Sequence, residues 1–135
     1  EFPMSAWKDG LIVSGVANAG NTEPATVEVT GLSSASKYNF TILAVRFGGS
    51  KAARTSEYTL KGKNTIGPKE IRTGLKLGTN EGEYATFEEV PYGEYITKFE
   101  NVEPTADGKV VIEVVGLSGA ATEGHLNALS IKQVQ

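Results

Sequence analysis

Residues 26–62 read TVEVTGLSSASKYNFTILAVRFGGSKAARTSEYTLKG. Val27 and Val29 alternate with Glu28 and Thr30, the period-2 pattern of a half-buried strand. Gly31-Leu32-Ser33-Ser34 interrupts it. Tyr38-Asn39-Phe40-Thr41-Ile42-Leu43-Ala44-Val45 then restores strand character with both faces largely apolar. After a connection carrying Arg46, Lys51 and Arg54, Ser56-Glu57-Tyr58-Thr59-Leu60 gives a third strand. Three strands in this short span, each closed by turn residues, decide for an all-β fold.

The same signals continue on either side, giving nine strand candidates. Leu11–Ser14 precedes the block formed by Thr26–Thr30, Lys37–Arg46 and Ser56–Lys61. Ile71, Thr73, Leu75 and Leu77 alternate with Arg72, Gly74 and Lys76 as a fifth strand. Tyr84–Glu89 and Tyr95–Val102 flank a Pro91/Gly93 turn. Lys109–Val115 follows the Asp107-Gly108 turn, and His125–Val134 closes the chain. No stretch shows sustained helical spacing. The expected fold is therefore a two-sheet antiparallel β-sandwich of about eight or nine strands, with residues 1–135 forming a single domain.

Composition agrees with that reading. Apolar residues make up 39% and charged residues 21%, a balance that excludes a disordered chain. No apolar run reaches the roughly 18 residues of a membrane-spanning helix. A net charge of −3 offers no chain-wide attraction for nucleic acid or anionic lipid, so neither is expected as a partner. Cysteine is absent, which removes disulfides and thiol chemistry. The domain is expected to belong to a longer protein.

Two families share the Gly-Leu and Tyr-x-Phe-x-Ile pattern. The segment from Val29 to Leu32, followed by Tyr38–Val45, resembles the E–F corner and F strand of fibronectin type III domains. In that family the tyrosine hydroxyl pins the corner to nearby backbone. Such a domain needs about four strands before the corner, more than the residues ahead of it supply, and would leave the chain beyond Lys63 unexplained. A longer match is to galactose-binding-like β-jelly-roll modules of secreted bacterial polysaccharide-processing enzymes. It rests on Gly31-Leu32, Tyr38 to Arg46, and Arg54-Thr55-Ser56-Glu57-Tyr58, then the Val102–Lys109 turn and Leu126-Asn127-Ala128-Leu129-Ser130-Ile131. Relatives carry more strands ahead of the segment that Phe2-Pro3-Met4-Ser5 resembles, so a shortened jelly roll or a missing edge strand is expected.

The resemblance implies a secreted or cell-surface, non-catalytic carbohydrate-binding module that tethers an enzyme to polysaccharide. The alternative is an accessory β-sandwich that packs on a neighbouring domain and binds nothing itself. The residues rank these readings above catalysis. His125, the single histidine, has no nucleophile motif beside it, and Gly116-Leu117-Ser118-Gly119 is not a nucleophile elbow. One histidine and no cysteine give no transition-metal set. A structural calcium stays open, as jelly-roll modules often hold one at a sheet edge, but Asp9 and Asp107 form no recognisable loop and its ligands are unassigned.

Sugar sites combine aromatic platforms with planar polar groups. Tyr84, Phe87, Tyr92 and Tyr95 cluster around one turn, with Phe87 and Phe99 expected inward and Tyr84, Tyr92 and Tyr95 near solvent. Arg46 and Arg54 offer bidentate contacts to hydroxyl or carboxylate groups, though a salt bridge to Glu57 or to a glutamate of the aromatic segment would occupy them equally well. Trp7 completes the candidate carbohydrate-binding set.

Overall fold

The computed structural model describes residues 11–13, 24–47, 55–72, 74–75, 92–118 and 124–135. Among them the chain forms eleven strands. These are β1 (Leu11–Val13), β2 (Ala25–Val29), β3 (Tyr38–Leu43), β4 (Arg46–Phe47), β5 (Thr55–Lys61), β6 (Thr65–Arg72), β7 (Gly74–Leu75), β8 (Ile96–Val102), β9 (Val110–Ser118), β10 (Gly124–Leu126) and β11 (Ala128–Gln133). One 3-10 turn, Tyr92–Tyr95, leads into β8.

Two antiparallel sheets carry the fold, one in the order β2-β9-β5-β6 and the other β11-β3-β8. From β2 onward the chain crosses between these sheets at each step to β3, β5, β8, β9 and β11, staying within one sheet for the β5–β6 hairpin. That is the connectivity of a jelly roll. β1 pairs antiparallel with β10, Leu11 opposite Leu126 and Val13 opposite Gly124, and β10 runs on into β11 through Asn127 alone.

Alternation along the strands explains why the sheets face each other. In β3, Tyr38, Phe40 and Ile42 point into the core, which Tyr58 and Leu60 of β5, Phe99 and Val102 of β8, and Val110, Ile112 and Val114 of β9 complete. Phe99 faces inward as its position in the pattern predicts, in register with Phe40. Burial drives association because each of these side chains leaves water on docking the sheets.

One strand starts earlier than expected. The alternation that predicts the fifth strand begins at Ile71, yet β6 begins at Thr65 and runs through Gly67-Pro68. Two facts reconcile them. β6 is an edge strand, where a missing N–H removes no ladder bond, and the register against β5 shifts between Tyr58 and Leu60, so the pair sits in a bulge.

The tyrosine corner is present in detail. Ser33 N–H donates to the Tyr38 hydroxyl at 2.9 Å, closing the turn ahead of β3. Tyr38→Phe keeps the ring in the core and removes only this acceptor. It is expected to lower unfolding stability by about 0.5–1.5 kcal/mol, read by urea denaturation; no change would assign the corner to packing alone.

Candidate functional site

The two ends of the sandwich are built differently. At one pole, tight connections bond to each other. Leu32 N–H donates to the Gly108 carbonyl at 3.0 Å and Lys63 N–H to the Glu103 carbonyl at 2.7 Å. Asn64 donates to the Asn101 carbonyl at 3.0 Å and accepts from Glu103 N–H at 2.8 Å. The Glu103 carboxylate lies 3.1 Å from the Lys37 ammonium and 3.8 Å from that of Lys63. Hydrogen bonding to Lys37 first, then the charges of Lys37 and Lys63, hold this carboxyl below its usual range. Asp107 is held low in the same way, chiefly by the Thr105 hydroxyl at 2.5 Å. This pole is a set of satisfied turns.

The opposite pole gathers the other strand ends. Leu43 closes β3 in register with Ile96 and Ala128, the first residues of β8 and β11. Thr55 opens β5 in register with Arg72 and Ser118, the last residues of β6 and β9. β10 ties these two ends together: His125 N–H donates to the Ser56 hydroxyl at 3.2 Å, and the Tyr58 hydroxyl donates to the His125 carbonyl. Burial pushes the pKa of the Tyr58 phenol well above its ordinary value, with Ser56 hydrogen bonding opposing the shift. His125 itself is buried, its backbone spent on joining the sheets.

The candidate tyrosines and arginines relate to this second pole. The 3-10 turn docks there, the Tyr95 carbonyl accepting from Ala44 N–H at 3.0 Å. Tyr92 opens the turn and Tyr95 ends it. Tyr95 corrects an expectation. The polar character of its segment places it near solvent, but it is fully buried, as are Leu43 and Val45 at the end of β3. The turn folds its last residue under itself, so Tyr95 supports the pole and presents no face for stacking. Val45 N–H is held by the Asn127 side-chain carbonyl at 2.7 Å, which directs the chain from β3 into β4. Arg46 begins β4, paired in parallel register with Gly74.

Tyr84, Phe87, Arg54 and Trp7 lie outside the described residues, as does the expected strand Tyr84–Glu89. Of the six candidates, the described residues place the backbones of Tyr92 and Arg46 at this pole. Tyr95 belongs there as support.

A second feature is not apparent in the sequence pattern. The outer face of the β11-β3-β8 sheet holds a groove of about 760 Å³. Asn39 and Thr41 from β3, Lys98 and Glu100 from β8, and Ser130 and Lys132 from β11 line it, with Ile96 at its end. The signal was available as the polar half of three alternating strands, the positions opposite the core residues. Among the described residues, no group of three or more acidic or histidine side chains is arranged for a metal ion.

Comparisons with family models, with curated proteins and with solved structures give no match.

Proposed function

We propose that this chain is a non-catalytic carbohydrate-binding module, exported with the bacterial enzyme it anchors to polysaccharide. The observation that carries the reading is the meeting of the Tyr92–Tyr95 turn and the start of β4 at Arg46 on one pole of a jelly roll. An aromatic face paired with guanidinium donors is the chemistry that sugar rings with equatorial hydroxyls require. Paired strands supply a rigid base for residues at their ends, the usual arrangement for recognition. Affinity in this reading is micromolar or weaker, since sugar hydroxyls give up water on binding.

The accessory-module alternative draws no support from the surface of the described residues. Among the described residues the single large hydrophobic side chain that is well exposed is Leu117, too little for a domain-packing patch.

Affinity electrophoresis against soluble plant and microbial polysaccharides, with calcium present, tests the proposal. At least one neutral glycan is expected to retard the protein. Tyr92→Ala or Arg46→Ala is expected to weaken that retardation about tenfold or more, equivalent to roughly 1.4 kcal/mol, with an unchanged melting curve. Absence of retardation across the panel would overturn the reading.

A further inference from the structure

We infer that the groove on the outer face of the three-stranded sheet is a separate binding site for a linear polysaccharide of uronate units. The argument begins with the lysines. Seven are described, and five of them have their ammonium groups engaged: Lys37 and Lys63 with Glu103, Lys61 with Glu113, Lys109 with Glu28, and Lys69 with the Lys98 carbonyl and the Phe99 ring. Lys98 and Lys132 are the two without such a partner among the described residues, and both line the same groove. On the other sheet's outer face, by contrast, Lys61 and Glu113 meet at 2.6 Å and Lys109 and Glu28 at 3.5 Å.

Their spacing is set by the sheet. Lys98 stands opposite Thr41 on one side of β3, and Lys132 opposite Asn39 on the other. Two strand spacings across and two residues along separate their Cα atoms by about 12 Å. A chain lying obliquely across β3 meets both ammonium groups, with carboxylates on separate sugar units as their counter-charges. Between them Thr41 and Ser130, directly paired in the register, present hydroxyls to the floor. Glu100 sits beyond Lys98 towards the bulge at Asn101, where it disfavours a carboxylate and suits a sugar hydroxyl.

The overall charge of −3 does not oppose this, because charges farther than about 8–10 Å are screened at physiological salt and the two local ammonium groups dominate the groove. Nucleic acid is disfavoured: the groove's outward side chains include no aromatic platform on which bases stack. The inference rests on the carbohydrate-binding reading for the class of polymer, but uses none of the residues assigned to the pole.

Titration calorimetry with polygalacturonate and alginate, each beside its carboxyl-reduced form, provides the test. Binding of one acidic polymer is expected, weakening as salt rises. Lys98→Ala with Lys132→Ala should reduce it about tenfold or more. Lys63→Ala, which removes an ammonium engaged with Glu103 and outside the groove lining, should leave it within about twofold, and Tyr92→Ala should leave it unchanged. Equal losses in the groove and Lys63 variants, equal binding of the carboxyl-reduced polymer, or preference for polyglutamate over both polymers would overturn the inference. Loss of neutral-glycan binding in Tyr92→Ala with no uronate binding would sink this site and leave the pole standing. Uronate binding lost in the lysine variants, with no neutral glycan bound, would do the reverse.

Discussion

Phe40→Ala is expected to lower unfolding stability by about 3–5 kcal/mol, far more than truncation of any surface side chain would. Phe40 is fully buried at the middle of β3, the central strand of its sheet, in register with Ile131 on one side and Phe99 on the other. Tyr58 and Leu60 of β5, on the other sheet, belong to the same buried cluster. A ring removed from that position leaves a cavity walled by residues on four strands, and strands already held by ladder bonds cannot collapse into it. Against a typical total of about 5–15 kcal/mol, the variant would sit near the edge of folding. Thr41→Ala, one residue on and facing the groove instead of the core, is expected to cost about 0.5 kcal/mol or less. Urea denaturation of both variants measures the difference. Equal losses would contradict the assignment of faces along β3.

Gly108→Ala is expected to cost about 2–3 kcal/mol, from two separable causes. Gly108 has φ +75°, in the left-handed region where a side chain costs roughly 1–2 kcal/mol. A methyl group there would also overlap the backbone of Leu32, whose N–H donates to the Gly108 carbonyl at 3.0 Å. Relief requires the two turns to separate, and that bond, worth about 1 kcal/mol, weakens. Gly31 provides the comparison. Its φ is +79°, but a methyl group there meets nothing within 4 Å, so Gly31→Ala should show the backbone cost alone. Thermal melts that place the two variants together would show that the turns of this pole do not need their close approach.

The fold was largely legible because its information is local. Alternation in Val27–Val29, Tyr38–Ile42 and Val110–Val114 specifies strands and their inward faces without reference to partners. The Gly-Leu turn and Tyr38 corner are local as well. What resisted reading depends on neighbours distant in sequence. Pro68 breaks a strand only if the strand is central, and the edge position of β6 is a property of the whole sheet. Tyr95 looked like a surface tyrosine because its segment is polar, whereas its burial follows from the turn docking on Ala44, about fifty residues earlier in the chain. The groove was hidden for the same reason. Lys98 and Lys132 are unremarkable singly, and gain meaning from a register that sets them on either side of β3.

The pairing of strands has a consequence for how the chain reaches this state. β2 pairs with β9, Ala25 opposite Val114, and β3 pairs with β11, Tyr38 opposite Gln133. Each sheet therefore joins an early segment to a late one, and among the described strands only the β5–β6 hairpin closes over a short loop. The entropy of bringing such distant segments together must be spent before their contacts return anything, which places folding in the slow range of roughly milliseconds to seconds for β-rich domains. A chain emerging from synthesis would hold little more than that hairpin until its last strand is free. Folding should then be a single concerted event, with the two sheets appearing together and neither surviving the loss of the other.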